Sequence, residues 1–166
     1  MPPQPLEVTF RDLAIGDAGW LIQRHGELYA EEEGFDASFE VLVAEILVDF
    51  IRTRDANVER AWIACEGDRR LGSIFCVKSG TLGVAKLRLF LIEPSARGLG
   101  LGQQLLDLCL DHAKSTGHHA LRLWTHESHA AACALYTKNG FTCTASAPVT
   151  SFGVDLVEQT WEIDLS

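Results

Sequence analysis

Several things are scarce in this sequence, and each scarcity closes off a class of protein. Basic residues are outnumbered: 14 Lys and Arg stand against 23 Asp and Glu, for a formal charge of −9. No stretch gathers Lys and Arg, so the electropositive footprint of a nucleic-acid binder is missing. The negative balance favours solubility and, mildly, cationic ligands. No apolar run approaches the roughly 20 residues of a membrane-spanning helix, so no membrane partner is expected. Met1-Pro2-Pro3-Gln4-Pro5 lacks the basic patch and apolar stretch of a secretory signal, and its prolines predict a loose start over residues 1–5. The cysteines (Cys65, Cys76, Cys109, Cys133 and Cys143) are odd in number and include no Cys-x-x-Cys pair. Each lies in an apolar segment, which predicts free thiols packed as small hydrophobes in a reducing, cytoplasmic setting. His126-x-x-His129 and His118-His119 have no Cys or Asp cluster beside them, so no metal site is expected.

What is present describes a globular chain. Apolar residues make up 47% and charged residues 22%, and 166 residues suffice for one domain over 1–166 with a real core. Alternation predicts a first strand over Leu6–Leu13. Asp17 is placed to cap a helix running to about Tyr29, with Glu31-Glu32-Glu33-Gly34 breaking the pattern. Phe39, Leu42, Val43, Ile46, Leu47 and Phe50 carry a second helix over about Ser38–Arg52. Ala61–Cys65 and Leu71–Val77 read as a hairpin. Val84–Ile92 is a long strand, apolar at most positions and so central and covered on both faces. A helix follows over about Gly100–Ser115, then a strand over Ala120–Thr125. A short helix over Ser128–Lys138 and strands over Phe141–Ala145 and Leu156–Leu165 complete the chain. The strand–helix–strand crossover in the second half implies one parallel pair in an otherwise antiparallel sheet. The expected class is therefore α/β (α+β), a mixed, mostly antiparallel seven-stranded sheet flanked by about four helices.

The chemistry concentrates in Ile92-Glu93-Pro94-Ser95-Ala96-Arg97-Gly98-Leu99-Gly100-Leu101-Gly102-Gln103. Alternating glycines just before a helix let backbone N–H groups turn inward and let a bulky anion approach. The helix start adds unpaired N–H groups and a positive dipole end. Together these make a phosphate or pyrophosphate cradle, to which Arg97 can add charge. A nucleotide P-loop needs Gly-Lys-Ser/Thr, but Gln103 and Gln104 follow Gly102. A dinucleotide fingerprint needs glycine where Gln103 stands. The remaining alternative is a tight turn into a helix with no ligand.

Arg97-x-x-Gly100-x-Gly102 after a strand resembles the signature of the GNAT superfamily of acetyl-CoA-dependent N-acetyltransferases. Phe90-x-Ile92-x-Pro94 and Leu135-Tyr136-x-Lys138-x-Gly140-Phe141 are similar to that family too, at a family-like separation. The resemblance spans nearly the whole chain. Leu87–Gly98 and Gln159–Leu165 also resemble the acetyltransferase half of proteins fused to a MarR-type DNA-binding regulator, although this chain has no room for the regulator.

The resemblance implies acetyl-CoA as cofactor and a small-molecule amine as acceptor, joined by direct attack in a ternary complex. Arg97, Gly98, Leu99, Gly100, Leu101, Gly102 and Gln103 would hold the pyrophosphate. The strand edge at Leu91 and Ile92 would pair with the pantetheine arm and aim an N–H at the thioester carbonyl. His129, Ala132 and Lys138, on the second motif, would add cofactor contacts, although many members carry Asn where His129 stands. Tyr136 occupies the general-acid position, which would protonate the leaving thiolate. The base is open: Glu93 lies beside the loop, and Glu31, Glu32 and Glu33 follow the first helix. Tyr29, Glu33, Arg88 and Trp124 are candidates for the acceptor pocket. By alternation Arg88 shares a face with Phe90 and Ile92. It would there pair with an acid such as Glu45 or hold a substrate carboxylate. Acetylation of a protein lysine or N-terminus and a non-catalytic acyl-CoA sensor are the alternative functions. A homodimer through an apolar edge after Phe141 is a family habit.

Overall fold

In the computed structural model, which describes residues 7–166, the chain runs β1 (Thr9–Arg11), α1 (Asp17–Glu33), α2 (Ala37–Thr53), β2 (Arg60–Glu66), β3 (Arg69–Lys78) and β4 (Val84–Ile92). A 3-10 turn at Pro94–Ala96 leads to α3 (Leu101–Ser115), β5 (Ala120–His126), α4 (Ala130–Lys138), β6 (Thr142–Ser151) and β7 (Val154–Asp164). The strands form one seven-stranded sheet in the order β1-β2-β3-β4-β5-β7-β6, antiparallel except for the β4–β5 pair. This is the expected mixed sheet with four helices. Leu6 and the Pro-rich opening lie outside the described residues. Among those residues, no helix is long and apolar enough to cross a membrane.

The sheet separates two apolar layers. Leu71, Ile74, Leu87, Leu105, Leu121 and Tyr136 belong to the layer that contains α3 and α4. Leu21, Val43, Leu47, Phe50, Ile63 and Phe75 form the layer that contains α1 and α2. α1, α2 and α3 were legible because an apolar stripe of each faces one of these layers, whereas the short Ala-rich α4 carries no such stripe.

The boundaries differ at α1. The three glutamates do not break the helix; they extend it to Glu33, since Glu is a good helix former. Gly34 (φ 74°) ends it in the left-handed conformation that favours glycine. At the other end Gly16, not Asp17, is the capping residue. Asp17 sits fully buried in the first turn and accepts from Ala14 N (2.7 Å), Arg11 (2.6 and 3.0 Å) and Arg70 (2.7 Å). Burial alone would raise its pKa. The two guanidiniums and the amide outweigh burial and hold the carboxyl at about 2. A folded-state pKa below the unfolded value of 3.8 contributes about 2 kcal/mol that is present above pH 4 and lost as pH falls through 3.8 towards 2. Asp17→Asn is therefore expected to lower urea-unfolding stability at pH 7 by about 2–4 kcal/mol, with the deficit shrinking at pH 3. An equal deficit at both pH values would contradict the assignment.

At the far edge, β6 does not offer the expected apolar surface. It is exposed along most of its length, carries small and polar residues, and includes Pro148, which cannot donate to a further strand. Cys143 lies on it and is exposed, unlike Cys65, Cys76 and Cys109 in the core. Exposed apolar side chains gather instead on α2, at Val41, Leu42, Val48 and Ile51, with others at Ile15, Leu82, Leu99 and Trp124.

Two irregularities of β4 position the site. First, β4 pairs with β5 only over Val84–Lys86, against Ala120–Arg122, and the strands then part. From Leu87 onward the β4 edge on that side has no strand partner among the described residues. Second, β4 bulges against β3. Phe75 pairs with Arg88 and Ser73 with Leu91, so Leu89 and Phe90 together face Ile74. Leu89 has φ 48°, rare for a leucine, and its carbonyl accepts from Ser73 Oγ (2.6 Å). The extra residue reverses the alternation. Leu89 joins the α1/α2 layer, while Phe90 and Ile92 join Leu87 in the α3/α4 layer.

Candidate active site

The parting of β4 and β5 opens a cavity of ≈ 490 Å³ that draws on both layers. From β4 it takes Lys86 to Phe90, from β5 Trp124 to His126, and from α4 His129, Ala132 and Tyr136. His25 and Tyr29 of α1, the apolar start of α2 and Phe152 at the β6–β7 turn close the other side. Tyr29, Ala132, Tyr136, Arg88, Trp124 and His129, singled out from sequence, thus share one cavity. Leu91 and Ile92 lie further along the same strand, towards the loop.

That loop leaves a run of backbone amides open at a helix start. Gly98 (φ 78°) and Gly100 (φ 80°) adopt the left-handed conformation, with nothing within 4 Å of where a Cβ would stand. From Gly98 to Gln103, backbone N–H groups find no acceptor among the described residues. Gln104 is the first that does, donating to Gly100 O at 3.2 Å. No side chain blocks these amides, and they fit a diphosphate. Leu99 is exposed. Phe90 connects loop and cavity: it lines the cavity, and its Cζ stands 3.7 Å from a Cβ built on Gly102. Arg97 is turned to Glu32 (2.6 Å) in an exposed pair, which a phosphate can replace. The Gln103 side chain bridges Asp107 (2.8 Å) and Asn139 (2.7 Å), tying α3 to the end of α4 and leaving its backbone amide for the ligand. Lys138 is exposed in the last turn of α4.

Three residues differ from expectation. Glu93 does not line the cavity; Arg24 holds both of its oxygens (2.5 and 2.8 Å), bracing the loop against α1. Arg88 lies on the opposite face from Phe90 because of the bulge, and it makes no ion pair with exposed Glu45 or with any other described residue. His129 is engaged at both ring nitrogens, Nε2 with Glu33 (3.3 Å) and Nδ1 with Thr125 (3.3 Å). Burial lowers its pKa, against the opposing charge of Glu33.

The aromatic groups are shifted too. Burial first, then Glu33 and Glu32, push the Tyr29 hydroxyl up to about 12. Tyr136 is buried between Phe141 (5.4 Å) and Trp161 (6.2 Å), and burial raises its pKa as well. Its hydroxyl makes no hydrogen bond within the described residues, which leaves it free to donate.

Sequence reasoning missed Lys86, His25 and Phe152. Lys86 is charged and alternates with Arg88, so the pattern was present. His25 gave no signal: a lone histidine in a helix, it bonds Leu21 O (2.7 Å), leaves Nε2 without a partner, and is driven down to about 4 by burial. Phe152 (φ 56°) and Gly153 (φ 78°) form the two-residue turn of a hairpin, where only the glycine was readable. The Phe152 carbonyl accepts from Asp36 N (2.9 Å), which seats the hairpin on the α1–α2 connection.

These features, a splayed parallel pair and a bare amide loop at a helix start, define an acyl-CoA-binding architecture. The chain belongs to the acetyltransferase (GNAT) family, whose model matches residues 22–141. It is 31% identical over 116 residues to an IAA acetyltransferase of Azospirillum brasilense, covering 70% of this chain and 68% of that protein. It is 36% identical over 86 residues to the mycothiol acetyltransferase of Geodermatophilus obscurus, where the match covers 49% of this chain and 28% of the relative. The chain thus spans well under half of that relative's length. Among solved structures, the Salmonella typhimurium protein yncA, with its cofactor acetyl-CoA, superposes with a TM-score of 0.78 at 19% identity. That match covers 96% of this chain and 94% of yncA, a likeness of fold. Acetyl-CoA is the family's acyl donor.

Proposed function

We propose that this chain transfers the acetyl group of acetyl-CoA to a primary amine of a small molecule or amino acid, by direct attack with both substrates bound. The observation that carries the reading is the run of acceptor-free amides from Gly98 to Gln103 at the end of a strand whose edge is unpartnered.

Acetyl-CoA supplies an activated thioester, and this chain's residues do the rest. The loop amides, with Arg97 released from Glu32, hold the diphosphate. The β4 edge at Leu91 and Ile92 takes up the pantetheine amides, and one of its N–H groups stabilises charge on the carbonyl oxygen. Ala132 and Lys138 flank the cofactor from α4. His129 Nδ1, released from Thr125, takes the ammonium proton, and Glu33 stabilises the imidazolium through Nε2–H. The freed amine nitrogen forms the new C–N bond as the C–S bond breaks, and the second proton that nitrogen sheds passes to the departing thiolate, which leaves as the free thiol. Tyr136 donates its hydroxyl hydrogen towards the departing sulfur. Its raised pKa keeps that hydrogen in place at working pH, so a hydrogen bond rather than early ionisation is its contribution.

Thiol release from acetyl-CoA, followed against amines, amino acids and peptides, tests the reading. Release should require a small acceptor. Tyr136→Phe is expected to lower kcat by about 10–100-fold and to leave acetyl-CoA affinity within about twofold. Equal turnover would return Tyr136 to packing. Glu33→Gln removes a charge that raises the His129 pKa, so the acidic limb of the rate profile should move to lower pH as its plateau falls. An unmoved limb removes the pair from catalysis. No release with any acceptor overturns the proposal.

A further inference from the structure

The α1/α2 side of the cavity carries positive charge that the chain does not balance. Lys86 and Arg88 precede the β4 bulge and, two residues apart, share a face. Both line the cavity. Lys86 is 6% exposed, and its Nζ stands 3.3 Å from the centre of the Trp124 ring. Neither makes an ion pair among the described residues, whereas most other described arginines do. Asp49 acts on Arg88 only through space, and its carboxylate is turned to Thr53 (3.4 Å). The one acid among the lining residues, Glu158, is the register partner of His126 on the far strand and forms no ion pair with Lys86 or Arg88. In a chain with 23 acidic and 14 basic residues, two adjacent unpaired cations in a cavity wall stand out. Buried charge is normally paired.

We infer that Lys86 and Arg88 form a carboxylate-binding subsite, so that the acceptor is an amine that itself carries a carboxylate, such as an amino acid, rather than a polyamine. The inference rests on the acetyltransferase reading for its catalytic consequence but not for the anion site itself. A carboxylate docked there meets a planar guanidinium from β4 and an ammonium backed by an aromatic face. A polyamine would meet repulsion in the same place. Burial and the charges of Arg88 and Arg122 bring Lys86 to about 7, and an arriving anion reverses that effect.

Two measurements on the full chain test this. Thiol release is compared for matched pairs: phenylalanine with phenethylamine, lysine with cadaverine, arginine with agmatine. Calorimetry then titrates phenylacetate, phenethylamine and acetyl-CoA separately into the protein. The carboxylate member of at least one pair should have the higher kcat/KM by at least about tenfold, and phenylacetate should bind where phenethylamine does not. Arg88→Met should bring that ratio to about one with acetyl-CoA affinity unchanged, and Arg88→Lys should restore part of it. Decarboxylated amines that turn over equally or faster overturn the inference and leave the acetyltransferase reading intact. Phenylacetate binding that depends on Arg88, with no thiol release from any acceptor, upholds the subsite and overturns that reading instead. Phenylacetate binding unaffected by either Arg88 substitution overturns the inference.

Discussion

Gly100→Val is expected to raise the dissociation constant for acetyl-CoA by about 30–100-fold while the chain stays folded. Gly100 has φ +80°, and a Cβ there meets nothing within 4 Å. The substitution therefore adds no clash inside the protein. Its effect is of two kinds. A β-branched residue resists the left-handed conformation by about 1–2 kcal/mol, so the backbone turns and carries the adjoining amides away from a common focus. The valine side chain also occupies the open space in front of those amides, where the diphosphate must sit. Each charge-assisted hydrogen bond lost is worth about 1.5–3 kcal/mol, and losing the equivalent of one sets the expected range. Gly117→Val is the matched control. It sits at the other end of α3 with φ +87° and open space around it, so it carries the same backbone strain without a ligand. It should lower stability by a similar amount and leave acetyl-CoA affinity alone. Calorimetric titration of both variants decides the point. If Gly100→Val binds acetyl-CoA as tightly as the unaltered chain, the loop is a turn and nothing more.

The contrast between that loop and β4 shows which parts of a site a sequence can display. The loop's conformation was readable because it is written in residue types: glycine at the left-handed positions, a helix immediately after, arginine before. The three longer helices were readable because each buries one stripe. The Val84–Ile92 strand was placed to the residue, and its burial on both faces follows from its apolar content. What alternation could not deliver was the bulge at Leu89, because an extra residue in a strand leaves no mark in an apolar run. One residue of slip put Arg88 and Phe90 on opposite faces of the sheet, so that Arg88 lines the α1/α2 side of the cavity. The Glu33–His129 contact joins the end of α1 to the start of α4. Only the fold brings those ends together, so each side chain looked like an isolated polar residue. Glu93 was misjudged for a related reason. Its neighbour in sequence is the loop, but its neighbour in space is Arg24, which takes both carboxylate oxygens.

The same strand supplies the second large effect, and here stability and function should move in opposite directions. Lys86→Met is expected to raise unfolding stability at pH 6 by about 2 kcal/mol while it weakens the acceptor's carboxylate contact. Methionine fills the volume of the lysine stem and keeps its contact with Trp124. The gain comes from removing a cation that burial disfavours. Lys86 has a folded pKa of about 7 against 10.5 for a free lysine. For a group with a depressed folded pKa, the unaltered chain is fully stable above the unfolded value and loses stability as pH falls through the folded one. The difference between Lys86→Met and the unaltered chain should therefore vanish above about pH 10.5, grow as pH falls, and level off below about pH 7. The full shift corresponds to more than the expected gain, and the expectation is discounted because an ammonium that reaches solvent is less penalised than one in dry protein. Urea unfolding of both proteins across pH 6–10 measures the curve. A flat difference, or a less stable Lys86→Met at pH 6, would mean that the aromatic face of Trp124 already compensates the charge. The protein would then carry no unbalanced cation for a carboxylate to relieve. A rising gain towards low pH, together with a higher KM for carboxylate-bearing acceptors, would identify Lys86 as a residue kept at the expense of stability because the acceptor needs it.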